Sequence, residues 1–164
     1  MLGTGCSARS DGRGVRRFGS LDEFAAARGQ HLGYSEWHPV PQAQIGKFAD
    51  ATGDRQWIHV DAERAAAGPF GTTIAHGYLT LALLPVFMSE IVSIDGLTAC
   101  INAGLDRVRF PGPVRAGARV RAGATLRDVR ETGPGKLAYT RVIVEVDGQK
   151  RPACIADTVL LYVP

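Results

Sequence analysis

The chain has 164 residues, 45% hydrophobic and 21% charged, proportions of a globular protein long enough to bury one substantial core. Its formal charge of +3 is carried entirely by Arg9, Arg13, Arg16 and Arg17 against Asp11. The body from residue 18 onward is therefore neutral, which argues against a nucleic-acid partner. Cys6, Cys100 and Cys154 are odd in number, far apart and without metal-ligand spacing, which predicts reduced thiols in a cytoplasmic protein.

Residues 1–19 are rich in Gly, Arg and Ser and read as a disordered tail, leaving one domain over 20–164. Cys6 lacks the apolar stretch that a lipoprotein signal requires. Ser20-Leu21-Asp22-Glu23 is a capping box, and the helix it opens, Leu21–Arg28, is stopped by Gly29. Gly33 to Pro39 alternates around Tyr34 and Trp37 as a short strand. Pro41 suits the first position of a second helix, which runs through Asp50 and turns Ile45, Phe48 and Ala49 inward. Asp61 caps a short helix through Ala67, and Gly68-Pro69-Phe70-Gly71 is a loop.

The spacing then predicts a long helix, His76 to Val92, apolar on every side, with a bend where the Pro85 ring meets the Leu81 carbonyl. A helix with no polar face must be wrapped by other structure. Its apolar run, Gly77 to Met88, is too short to span a bilayer, so no membrane segment is expected. After Gly96 four strands follow, over 99–110, 118–130, 137–146 and 153–163, with Asp147-Gly148 as a turn signal before the last. The fold class is α+β: a buried helix gripped by a largely antiparallel sheet.

Chemistry concentrates in Asp54-Arg55-Gln56-Trp57-Ile58-His59. Five residues on a continuous helix rotate by about 500°, leaving Asp54 and His59 roughly 140° apart. They converge only if the backbone breaks, and Thr52-Gly53 is a natural helix end just before them. A carboxylate and an imidazole brought together this way can share one water as an acid–base pair.

Three stretches sharpen this reading. Asp54 to Asp61, then Ile74-Ala75-His76-Gly77 opening the apolar helix, then Leu105 to Val114 with its Arg-x-x-x-Pro-Val corner resemble the MaoC-like dehydratases. That family includes the (R)-specific enoyl-CoA hydratases and the nodulation protein N branch. The resemblance runs from about residue 30 to the C-terminus. It implies the hotdog fold, a homodimer with sites near the subunit interface, and reversible hydration of a trans-2-enoyl thioester. It places the reacting water on Asp54 and His59 and gives the Gly77 N–H to the thioester oxygen. No metal or redox cofactor is implied, the substrate being carried as a coenzyme A thioester. Gln56 stands where an Asn often positions the site, and Trp57 where Pro is usual. His76 reads as support for the helix start, and Arg64, Arg107 and Arg109 as either solvated or close to coenzyme A phosphates. A dehydratase acting on acyl carrier protein substrates and a non-catalytic acyl-thioester-binding subunit are the alternatives.

Overall fold

The computed structural model describes residues 14–164. In chain order the elements are β1 (Arg16–Phe18), α1 (Leu21–Ala26), β2 (His31–Tyr34), β3 (His38–Pro39), α2 (Gln42–Thr52), α3 (Trp57–Val60) and α4 (Ala62–Ala66). They continue with α5 (Gly77–Ala82), α6 (Leu84–Ile91), β4 (Val92–Ile94), β5 (Ala99–Arg109), β6 (Arg119–Thr132), β7 (Gly135–Val146) and β8 (Cys154–Val163).

Part of the stretch expected as a tail over 1–19 is structured. Arg16–Phe18 pair in parallel with β4, and the Phe18 ring is buried edge-on against Phe24 at 5.3 Å. One large aromatic ring withdrawn from water suffices to draw an otherwise polar segment onto the domain. Residues 1–13 lie outside the described residues. The capping box forms, with Ser20 Oγ accepting from the Glu23 N–H at 3.1 Å, although Glu23 reaches back to the Gly19 N–H. Pro41 is the N-cap of α2 instead of its first residue. The helix then runs past Asp50 to Thr52, where Gly53 closes it at φ 77°.

The large sheet has the order β2-β6-β7-β8-β5, antiparallel throughout, and β3 also pairs with β6. The short strand expected over 33–39 is therefore two strands on one partner. Val120, Ala122, Ala124 and Leu126 of β6 face inward, as do Ala138, Thr140, Val142 and Val144 of β7. The alanines on this concave face leave room for a helix to lie close, and Leu84, Phe87 and Ile91 of α6 fill that space. Asp147-Gly148 opens a turn, but the β7–β8 ladder resumes only at Val144 opposite Cys154. The connection is thus longer than a two-residue hairpin.

The single helix expected over 76–92 is two helices meeting at Leu83, with Pro85 in the first turn of the second. Proline cannot donate to the preceding turn, which interrupts the ladder. Leu83 nevertheless stays right-handed helical and its N–H still reaches the Leu79 carbonyl at 3.2 Å, so the two run on as one long interrupted helix. Nor do the described residues of one chain wrap this helix on all sides. Tyr78 is 71% exposed, Val86 is exposed too, and no residue of β5 is buried. A helix cradled by a long antiparallel sheet is the hotdog architecture.

Candidate active site

Three segments distant in sequence are laced together by main-chain hydrogen bonds. The Ile74 N–H donates to the Ile58 carbonyl at 2.9 Å, and the Ala75 N–H to the Val114 carbonyl at 2.8 Å. An isolated bridge joins Ile74 to Arg115. The Asp54–His59 turn, the strand leading into α5 and the Pro113-Val114 corner thus form one unit. That corner is there to supply a carbonyl, with the Val114 side chain buried beneath it.

Gly53 ends α2 in the left-handed region, and the chain turns at Asp54. The Asp54 N–H approaches Thr52 Oγ1 at 3.4 Å, and the Gln56 N–H approaches Asp54 Oδ1 at 3.4 Å. The next turn, α3, carries His59 inward to 6% exposure. Its ring is fixed by an Nδ1–H bond of 2.7 Å to the Ile74 carbonyl. A carbonyl only accepts, so Nδ1 carries the proton, and in the neutral ring Nε2 keeps a free lone pair. Burial pushes the His59 pKa below the usual imidazole value, the nearby His76 adds to this, and the Ile74 bond and Asp54 oppose it. The net direction favours the neutral ring.

His76 is the site residue whose importance the residue pattern concealed. Its ring is 2% exposed and stacks on His59, centroids 3.7 Å apart and planes inclined by 24°. The His76 Nε2–H donates to the Asp54 main-chain carbonyl at 2.9 Å and lies 3.9 Å from Asp54 Oδ2. Asp54, His59 and His76 each present an atom within 4.8 Å of the others. A water making bonds of about 2.8 Å to a carboxylate and an imidazole spans such a gap. A metal ion fits less well. Lone pairs of imidazole lie in the ring plane, and two stacked, nearly parallel planes do not meet at about 2 Å from both rings.

Gly77 opens α5, where a first-turn N–H has no partner within the helix. A Cβ at this position would sit 2.9 Å from the Phe110 ring, so any side chain here would require that ring to move. His59 and Gly77 line the same cavity of about 330 Å³, together with Phe70, Thr80, Phe110 and Val114. The Gln56 side chain is exposed and makes no capping bond at the start of α3. The hydrogen bond that steadies the His59 main chain comes from Gln42, whose Nε2 donates to the His59 carbonyl at 2.8 Å. Thr73 Oγ1 in turn donates to Gln42 Oε1. Nothing in the sequence signalled that link. Asp61 is the N-cap of α4, its Oδ1 accepting from the Arg64 N–H at 3.0 Å. Arg64 itself lies over the Trp57 ring at 4.5 Å.

Fold and site together define a hotdog protein with a carboxylate–imidazole pair at the start of its central helix. Residues 23–147 match the family described as MaoC like domain, and the chain belongs to the MaoC-like dehydratases. It is 51% identical over 150 residues to 3-hydroxyacyl-thioester dehydratase Z of Mycobacterium tuberculosis, covering 91% of this chain and 99% of that protein. It is 46% identical over 145 residues to nodulation protein N of Rhizobium leguminosarum bv. viciae, covering 87% and 90%. Among solved structures, the unliganded R-hydratase PhaJ1 of Pseudomonas aeruginosa shares the fold at a TM-score of 0.67 and 21% identity, covering 83% of this chain and 81% of that one.

Proposed function

We propose that this chain is a lyase that reversibly hydrates trans-2-enoyl-CoA to (3R)-3-hydroxyacyl-CoA. The observation that carries the reading is the pair itself: a half-exposed carboxylate and a buried imidazole with its Nε2 free, within reach of one water. The thioester draws electrons from the double bond and makes C3 electrophilic. His59 Nε2 takes a proton as the water oxygen bonds to C3, while Asp54 accepts the second water hydrogen and orients the lone pair. Charge flows to the thioester oxygen, where the Gly77 N–H stabilises the enolate. The His59 imidazolium then returns the proton to C2 on the same face. General acid–base help of this kind is worth roughly 10²–10⁴ in rate, and one oxyanion donor about 10²–10³. The scheme calls for no metal and no redox cofactor.

The functional unit in this reading is a cytoplasmic homodimer. Among the described residues β5 pairs only with β8, which leaves its other edge without a strand and Ile101 and Leu105 exposed beside it. A second copy of the same strand would satisfy that edge. Among the described residues Cys100 and Cys154 form no disulfide.

The test is hydration of crotonyl-CoA by the full chain, followed by loss of the enoyl-thioester absorbance. Asp54→Asn and His59→Ala each lower turnover by roughly 10²–10⁴ while the fold and dimer persist. Near wild-type turnover in both variants would remove the site assignment. Offering the same acyl group on acyl carrier protein decides between carriers, since faster turnover there favours the carrier-protein dehydratase. A subunit that only binds acyl thioesters has no use for a water-holding pair, and it would show no hydration with either carrier.

A further inference from the structure

We propose that His76 is a positioning residue of this site, holding the Asp54 main chain and the His59 ring in one fixed relation. The inference deepens the hydration reading and rests on it for its kinetic test. Asp54 needs such a hold, because its side chain is 55% exposed and burial cannot fix it. The His76 Nε2–H supplies one at the Asp54 carbonyl, at 2.9 Å. His59 is held from the other side by the stacked ring at 3.7 Å, and Phe48 packs against His76 at 5.0 Å. His76 is also the N-cap of α5, so the residue that touches both members of the pair sets the position of the Gly77 N–H.

A purely structural filler would not look like this. His76 Nδ1 is buried and has no hydrogen-bond partner among the described residues. An unpaired buried acceptor is a cost that a phenyl ring of similar shape would avoid. The imidazole offers what phenyl does not: a directed N–H for Asp54 and an electrostatic brake on its neighbour. Two stacked imidazolium ions repel, so the His76 ring opposes protonation of His59. The titratable groups facing His76 are His59 from α3 and Asp54 from the turn before it, and Phe48 of α2 brings no charge.

The experiment uses the full chain with His76→Gln, which keeps an N–H donor but no ring, and His76→Phe, which keeps a ring but no donor. Two readouts are taken on folded protein: kcat and KM for enoyl-CoA hydration, and titration of the His59 ring by nitrogen NMR. In both variants kcat falls roughly 10- to 100-fold, as small misplacements of reacting groups do, with KM little changed. The His59 titration midpoint moves up in both, because the opposing imidazole is gone. A merely structural role lowers the melting temperature and moves neither readout. Unchanged kcat in both folded variants, or an unmoved His59 titration, overturns the proposal. If the wild-type chain hydrates no enoyl thioester, the hydration reading fails instead. The His59 titration alone then decides for or against His76.

Discussion

The centre of the sheet and the segment from Asp54 to Gly77 are held by different forces. Across β6 and β7, Ala122 faces Val144, Ala124 faces Val142 and Leu126 faces Thr140, all buried. That region is held by apolar area and the strand ladder, which depend little on which aliphatic side chain fills each place. The site segment is held by directed bonds, from His59 to the Ile74 carbonyl, from His76 to the Asp54 carbonyl and from Gln42 to the His59 carbonyl. Directed bonds hold one geometry or none. One region therefore carries stability and the other carries placement of two side chains, and substitutions can separate the two.

The largest separation is already set by Asp54→Asn at an exposed side chain, which should lower turnover roughly 10²–10⁴-fold with thermal unfolding little changed. His59→Ala loses as much turnover and also about 1–3 kcal/mol, since it leaves the Ile74 carbonyl unpaired. Leu126→Ala is the opposite case. Truncating this fully buried side chain costs about 2–5 kcal/mol, read as a lower urea midpoint, with kcat per folded molecule unchanged. Comparable losses in both variants would show that sheet and site are not independent.

Gly77→Ala lies between the two regions. Its new methyl meets the Phe110 ring, an overpacking of about 1–3 kcal/mol that also displaces the helix start, so stability and kcat fall together. Adding Phe110→Ala restores stability relative to the single Gly77→Ala variant. An additive cycle would mean that the ring is not the obstacle.

The smallest effect is electrostatic. His59 has its pKa lowered in the folded protein, so the unfolded chain binds its proton first as the pH falls. Stability is retained above the ordinary histidine value of about 6.5 and declines as the pH drops through and below it. Urea unfolding from pH 8 to pH 5 should show this decline, and His59→Ala should flatten it. A steeper acid-side loss in His59→Ala than in the wild type would reverse the assigned direction.

Much of this molecule could be read along the chain. The strands expected over 118–130 and 137–146 are β6 and β7, because side chains of a strand alternate whatever the strand pairs with. Ser20, Gly53 and Asp61 act where they stand, since caps and helix ends are decided within one turn. The carboxylate and imidazole were visible for the same local reason, with a glycine helix end just before them. The division of the central helix at Leu83 was half visible, Pro85 announcing a disturbance but not its extent.

The sequence by itself determined what nearest neighbours decide: the caps, the strand faces, the break before Asp54 and the candidate pair. Only the tertiary structure decided the partners. Arg16–Phe18 became a strand because β4 was there to receive it, and Gln42 reached His59 because α2 folds back over α3. The stacking of His76 on His59, and the proton that the Ile74 carbonyl holds on Nδ1, depend on groups 15 or more residues away. A residue's type gives its bonding capacity, but burial and the long-range carbonyl opposite it determine which nitrogen is left free to act.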